Sequence, residues 1–108
     1  MNQNDRRRIQ DITELAAELA EYVSQGQDYF NSHLSQVRAI ERVIELIGEA
    51  GSSISIETQD EISDVDWSGL IGLRVLLAHN YQRVKKSQLW NSATVDVPLL
   101  VKSLNKLV

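Results

Sequence analysis

Apolar residues recur at every third or fourth position through much of this chain, which is the spacing of one face of an α-helix. The first such run steps through positions 9, 12, 15, 19 and 23 and predicts a helix over roughly residues 5–24. Asn4 or Asp5 is the expected N-terminal cap of this helix. The polar sequence at 24–27 is expected to end or bend it.

A second apolar stripe spans positions 30–47 and predicts a second helix. Gly51 follows the stripe and is expected to be its C-terminal cap. Residues 54–65 are expected to form a connector with at most one short helical turn. Asp66 is placed to cap a third helix that begins at Trp67.

A fourth apolar run occupies positions 89–107. Pro98 interrupts it and is expected to kink the helix or to start a new turn after a cap at Asp96. Alternation typical of a strand is confined to residues 52–58, and a lone strand has no partner. The sequence therefore predicts an all-α fold, an antiparallel up-and-down bundle of four to five helices in a single domain over residues 1–108.

Composition narrows the class of protein. A chain of 108 residues that is 43% hydrophobic can bury a modest core. The absence of cysteine excludes disulfides and thiolate metal sites, and with only two histidines we expect no metal and no other cofactor. No apolar run reaches membrane-spanning length or resembles a secretion signal, so we expect a cytoplasmic protein with no membrane partner. A net charge of -4 argues against a general nucleic-acid coat but permits a local basic site.

The third helix carries the candidate chemistry. Its sequence, WSGLIGLRVLLAHNY, is apolar enough to be buried, yet it contains Arg74, His79 and Tyr81, and a buried charge needs a partner. Residues seven apart differ by about 20° around a helix, so Arg74 and Tyr81 share a face, whereas residues five apart differ by about 140°. Arg74 and His79 therefore converge only if the helix loosens near His79, which Asn80 favours, or if a second chain of a two-fold dimer contributes its own copies.

Arginine and histidine together, without a metal, suit cleavage of an RNA phosphodiester. Histidine transfers protons near neutral pH, and the planar guanidinium of arginine binds phosphate and stabilises charge in the transition state. Each residue also has a structural interpretation. Arg74 could form a surface ion pair with an acid such as Glu49, His79 could pack or cap, and Tyr81 could be a core tyrosine. Glu49 could alternatively be a carboxylate that holds Arg74 or His79.

Several short segments, taken in order, resemble one known family. They are GEA at 48–50, IGLR ending at Arg74, HNY at 79–81, and then Trp90 and Pro98. The set resembles the HepT-like proteins of the HEPN superfamily. Their signature is arginine, four to six residues, histidine, any residue, tyrosine, and here it falls on Arg74, His79 and Tyr81.

This resemblance implies a HEPN-like helical bundle that forms a homodimer. It implies a metal-independent endoribonuclease that is the toxin of a HEPN/MNT (type VII) toxin–antitoxin module. The implied site lies at the dimer interface, with Arg74 and His79 catalytic and with Tyr81 as the modified residue. We expect Asn80 and Glu49 to support this site. The implied partners are an RNA substrate and a minimal nucleotidyltransferase antitoxin of the MntA type, which silences the toxin by transferring AMP to Tyr81.

The chain departs from the family pattern at two places. The family usually has a polar residue, often Asn, directly after the signature arginine, and this chain has Val75. The segment after the tyrosine usually carries an acid, whereas here it contains Lys85 and Lys86, which could help hold RNA or an acidic partner. Val75 favours an alternative function, that of a catalytically inactive HEPN dimer that binds or presents a substrate to a nucleotidyltransferase. A helical dimerisation module without a site is a third hypothesis.

Overall fold

Helices make up almost all of the chain in the computed structural model. The structure describes residues 1–107, and for residues 81 and 107 it describes only the backbone. The α-helices are α1 (Gln3–Val23), α2 (Gln27–Ser32), α3 (Leu34–Ser52), α4 (Ile56–Glu61), α5 (Trp67–Asn80), α6 (Lys86–Asn91) and α7 (Val97–Leu104). Short 3₁₀ turns follow α5 and α7, and a π-helical turn, Ser92–Asp96, joins α6 to α7. No strand forms among the described residues, so the predicted all-α bundle is confirmed.

The first helix begins earlier than the apolar pattern predicts. Asn2 is its N-terminal cap, because the side chain of Asn2 accepts a hydrogen bond from the backbone N–H of Asp5 at 2.7 Å. The expectation that Asn4 or Asp5 caps this helix is therefore wrong. Asp5 lies buried in the first turn, where its carboxylate accepts hydrogen bonds from the Ser55 backbone N–H at 3.0 Å and from the hydroxyls of Ser55 and Thr58, each at 2.6 Å.

The boundary between the first two apolar runs is confirmed, but the second run is split. Gly26 follows α1 with a φ of 93°, in the left-handed region that favours glycine, and so turns the chain back. The second stripe forms two helices because His33, between α2 and α3, is extended with φ -126° and ψ 102°. The short α2 nevertheless buries Phe30 completely.

Helix α3 lies between α1 and α5 and contributes more buried apolar residues than any other described helix. The side-chain amide of Gln36 donates to the carbonyl of Tyr22 at 2.8 Å, which joins the start of α3 to the end of α1 and makes the two helices antiparallel. Buried aliphatic residues of both helices meet between them: Ile9, Ile12, Leu19, Val37, Ile40, Val43, Ile44 and Ile47.

Two glycines of α3 allow α5 to pack closely against it. A Cβ added at Gly48 would lie 3.1 Å from Cγ of Arg74 and 3.2 Å from the carbonyl oxygen of Leu70. A Cβ added at Gly51 would lie 2.9 Å from Cδ2 of Leu70. Because Gly51 lies inside α3, the expectation that it caps the helix is wrong, and Ser53 is the C-terminal cap. The contacts run in opposite order along the two helices, so α3 and α5 are antiparallel.

The start of α5 is fixed as the sequence predicts. The Asp66 carboxylate accepts a hydrogen bond from the backbone N–H of Gly69 at 3.0 Å, which confirms it as the cap. The expected helical turn in the connector is α4. The indole N–H of Trp67 donates to the carbonyls of Gln59 and Ile62, each at 3.1 Å, and so ties α5 to the end of α4.

Pro98 is accommodated within one continuous helical segment from α6 to α7. It lies in the first turn of α7, directly after the π-helical turn, where its missing N–H costs least. Asp96 directly precedes α7, as expected, but it has helical torsion angles, φ -67° and ψ -46°, and its side chain makes no capping bond. None of the described helices is both long enough and apolar enough to cross a lipid bilayer.

Candidate functional site

Helix α5 carries the predicted signature and is unusually apolar for a helix so poorly covered. Its apolar side chains point in every direction, yet among its fourteen residues only Leu77 is buried. Val75 is 45% exposed, and Leu70, Leu73 and Leu76 are half-buried. A helix that is apolar all round is normally enclosed by other elements. One side of α5 therefore lacks the cover that its sequence requires.

Arg74 is held against α3 at Gly48. Its Nε atom is buried and has no hydrogen-bond partner among the described residues. The ion pairs of the described chain do not include Arg74. A desolvated N–H without an acceptor is costly, so the unpaired Nε of Arg74 calls for an explanation.

Glu49 does not form the contact that the sequence suggests. Its side chain is exposed on α3 and forms no ion pair with Arg74 or His79 in the described part of the chain. Glu49 follows Gly48, which faces α5, and successive helical residues are rotated by about 100°. The carboxylate of Glu49 is therefore turned away from Arg74 within one subunit.

Gly48 is not among the predicted site residues, although it positions the arginine. No residue with a Cβ can occupy this position without moving Arg74 or the backbone of Leu70. The signal in the sequence is the three-residue spacing of Gly48 and Gly51 on an otherwise apolar helix. Such spacing puts two small residues on one face, where another helix can approach closely.

His79 is exposed in the last turn of α5, and the helix continues through it to Asn80, which is also exposed. The 3₁₀ turn begins only at Tyr81, so α5 does not loosen at His79, and helical periodicity places Arg74 and His79 about 140° apart around the helix axis. No hydrogen bond joins the His79 ring to another described residue. The predicted place of the Tyr81 side chain lies outside the described residues.

An exposed strip on α5 contains His79. It is formed by Ser68, Gly72, Val75 and His79, which fall within about 60° of one another around the helix and are all exposed. A Cβ added at Gly72 would meet nothing within 4 Å, so the surface of the strip has a shallow depression at Gly72. Val75, the departure from the family pattern, thus lies beside His79 rather than beside Arg74.

A cleft of about 440 Å³ opens on another side of α5, towards α7, and is a poor site for RNA. Its rim carries Asp64, Asp66 and Asp96, which would repel phosphate. The hydroxyl of Ser103 and then the ammonium of Lys106 hold the pKa of Asp64 below its usual range, so this carboxylate keeps its charge. Among the described residues, no group of three or more His, Asp or Glu side chains is arranged to hold a metal ion.

Comparisons with known proteins agree with the resemblance carried by α3 and α5. A protein of Methanocaldococcus jannaschii, "Putative RNase MJ1380", is 29% identical over 98 residues, which cover 89% of each chain. "Putative RNase TTE0752" of Caldanaerobacter subterraneus subsp. tengcongensis is 31% identical over 71 residues, which cover 66% of this chain and 63% of that protein. No solved structure gives a significant match. A sequence model of the family described as Ribonuclease HepT-like matches residues 12–107, and the chain therefore belongs to the HepT-like family.

Proposed function

We propose that this protein is a metal-independent endoribonuclease that acts as a homodimer and is the cytoplasmic toxin of a two-gene toxin–antitoxin module. The observation that carries the proposal is the guanidinium of Arg74. It is partly buried, it keeps an N–H without an acceptor, and it lies on the helix that also presents an exposed histidine. Family membership and the RNase names of the relatives support the same chemistry.

A second copy of the chain would complete the site. Arg74 and His79 of one subunit point about 140° apart, so a phosphate cannot contact both on one straight helix. The uncovered apolar side of α5 supports a two-fold dimer in which this helix packs near its own copy. The low strip at Gly72 and Val75 allows close approach, and His79 of one subunit would then face Arg74 of the other.

The proposed reaction is an internal transfer at phosphorus. One His79 takes the proton from a ribose 2′-hydroxyl, and the resulting oxygen attacks the adjacent phosphorus to form a 2′,3′-cyclic phosphate. The bond from phosphorus to the 5′-oxygen of the next nucleotide breaks, and the imidazolium of the second His79 protonates that oxygen. Arg74 binds the non-bridging oxygens, where negative charge accumulates in the transition state and the guanidinium stabilises it.

Regulation would act through Tyr81. We propose that an MntA-type nucleotidyltransferase transfers AMP from ATP to the phenol oxygen and releases pyrophosphate. The proposal takes the seven-residue spacing of Arg74 and Tyr81 in the sequence to mean that a phosphate attached at Tyr81 pairs with the guanidinium of Arg74. The adduct would occupy the phosphate site and block RNA. Mass spectrometry of the purified protein after incubation with the transferase and ATP should show one added AMP on the peptide that contains Tyr81.

Two substitutions test the catalytic assignment. Arg74→Ala and His79→Ala should each lower RNA cleavage by at least about 100-fold, the usual loss for a group that stabilises or protonates the transition state. Arg74→Lys keeps the charge but loses the planar fork, so its loss should be smaller than that of Arg74→Ala. Arg8→Ala is the matched control, because Arg8 is an exposed arginine of α1 in an ion pair with Asp11. A His79→Ala protein that cleaves at the wild-type rate would refute the assignment.

Val75 supports a second candidate function, a dimer without catalytic activity that presents a substrate to the transferase. The position beside His79 carries an apolar side chain, 45% exposed, where the family usually supplies a polar one. In that case the purified wild-type protein would bind the transferase tightly and would leave RNA intact under all conditions in which Tyr81 is unmodified.

A further inference from the structure

Tyr29 and His33 form an exposed aromatic pair at the junction of α2 and α3. Their rings stack with centroids 3.8 Å apart and planes inclined by 16°. The His33 ring is fixed in place, because its Nδ1 lies 3.0 Å from both the carbonyl oxygen of Tyr29 and the hydroxyl of Ser32. Tyr29 is 40% exposed, so its ring has a face available to solvent. A preordered, exposed aromatic pair contributes little to a core and needs another explanation.

The start of α6 brings one lysine to this pair, and a second lysine precedes it in the sequence. The ammonium of Lys86 donates to the carbonyl of Asn31 at 3.1 Å, and Asn31 lies between Tyr29 and His33 in the sequence. Lys85 precedes it and is exposed. Tyr29, His33, Lys85 and Lys86 are named the aromatic–lysine patch from here on.

Charges near the aromatic–lysine patch leave it basic. The first turn of α3 carries no acidic residue, and Glu41 and Glu45, further along α3, are each paired with an arginine, at 2.7 Å and 3.3 Å. Lys85 forms no ion pair with a described carboxylate. Asp28 is the acid on α2, exposed and next to Tyr29, and it opposes the lysines only in part.

The aromatic–lysine patch lies at the same end of the bundle as His79. Because Gly48 faces Arg74 in an antiparallel pair, His79 lies level with about position 43 of α3. His33 is then roughly 15 Å further along the axis of α3, at 1.5 Å per residue. The two sites are close enough for one RNA strand to reach both, but too far apart for a single nucleotide.

We infer that the aromatic–lysine patch binds single-stranded RNA beside the cleavage site, an inference that rests on the proposed function. A base stacks on the exposed face of Tyr29, whose other face is supported by His33. Lys85 and Lys86 contact the phosphates on either side. Aromatic stacking with a basic track is how proteins hold single strands without reading their sequence. The patch would therefore favour unpaired stretches over helical RNA.

The test compares two substrates and two substitutions of one residue. Tyr29→Leu removes the stacking ring, and Tyr29→Phe keeps it. In a His79→Ala background, which prevents cleavage, Tyr29→Leu should weaken binding of an oligouridylate of about twelve nucleotides by roughly 5- to 100-fold, whereas Tyr29→Phe should not. In the chain with His79 intact, Tyr29→Leu should lower kcat/KM for the same oligonucleotide and leave cleavage of a dinucleotide unchanged. Lys85→Gln should reduce the slope of log affinity against log salt by about 0.7.

The outcomes separate this inference from the proposed function. If the wild-type protein cleaves both substrates and Tyr29→Leu binds and cleaves as the wild type does, the aromatic–lysine patch is not an RNA site and the catalytic proposal stands. If the wild-type protein cleaves neither substrate but Tyr29→Leu still loses oligouridylate binding, the catalytic proposal fails and the RNA site stands. If Tyr29→Leu keeps full RNA affinity but loses binding of the transferase, the patch docks protein and the inference is overturned.

Discussion

Replacing Gly48 by alanine adds one methyl group where α3 and α5 approach most closely. That group would clash with Cβ of Arg74 and would lie 3.1 Å from its Cγ and 3.2 Å from the carbonyl oxygen of Leu70, and none of these atoms is the free end of a flexible side chain. Inside a helix, alanine stabilises the folded state by about 1 kcal/mol relative to glycine. Overpacking a well-packed contact destabilises the folded state by about 1–3 kcal/mol. We expect the free energy of unfolding to fall by up to about 2 kcal/mol.

Two other glycines provide matched controls. Gly72→Ala places its methyl group where nothing lies within 4 Å, so this substitution should raise the free energy of unfolding of the isolated subunit by up to about 1 kcal/mol. Gly51→Ala should fall between the two, because its close neighbour is Cδ2 of Leu70, which can turn aside. The expected order of stability is therefore Gly72→Ala, then Gly51→Ala, then Gly48→Ala.

The measurement is urea unfolding with linear extrapolation, at one protein concentration low enough to dissociate a dimer. RNA cleavage provides a second readout. A shift of about 1 Å in Arg74 can cost about 100-fold in rate, so Gly48→Ala should cleave RNA much more slowly even under conditions in which the protein stays folded. If Gly48→Ala proves as stable as Gly72→Ala, the close contact between α3 and α5 is not as described and the reasoning is refuted.

Three further substitutions test other contacts. Asp5→Ala leaves the Ser55 N–H and the Thr58 hydroxyl without their acceptor and should cost about 3 kcal/mol in urea unfolding. The Ser55 hydroxyl first, then that of Thr58, lowers the pKa of Asp5 from 3.8, so its stabilisation is complete above that pH and is lost as pH falls through the lowered pKa. Acid unfolding curves of equal shape for wild type and Asp5→Ala would contradict this. Trp67→Phe removes the indole donor to two carbonyls at the end of α4 and should cost about 1–2 kcal/mol, seen as a lower Tm. Val75→Asn restores a polar group beside His79 and should raise the RNA cleavage rate by roughly 10-fold, the worth of one good hydrogen bond; an unchanged rate would show that this position does not act in catalysis.

Apolar periodicity predicts α1 and α3 well, because an apolar stripe along one helical face is a local property of the sequence. Helix α5 is apolar on all sides, and the sequence predicts its start from the cap at Asp66 instead. Asp5 and Gly51 are assigned wrongly for a common reason. Aspartate and glycine can each serve either as a helix cap or in a tertiary contact, and which role applies depends on residues far away in the chain. Asp5 bonds to residues near position 55, and Gly51 receives Leu70. Neither partner can be identified from the neighbouring residues alone.

The sequence places Arg74 and His79 on one helix, and their role as a site stays a prediction. Because α5 stays regular to Asn80, their spacing of five residues places them about 140° apart around the helix. The side-chain environment of Arg74 could not be predicted, since it depends on the register between two helices. A shift of one residue would place Glu49 rather than Gly48 against α5, and the guanidinium would then have a carboxylate partner.

The hydrogen bonds of Asp5 join residues that are 50 and 53 positions apart. Synthesis proceeds from the N-terminus, so the first turn of α1 leaves the ribosome long before its hydroxyl donors do. During that interval the carboxylate stays in water, and the cost of removing it from water keeps the beginning of α1 undocked. Translation itself thus sets the earliest moment at which this helix can be locked onto the rest of the bundle.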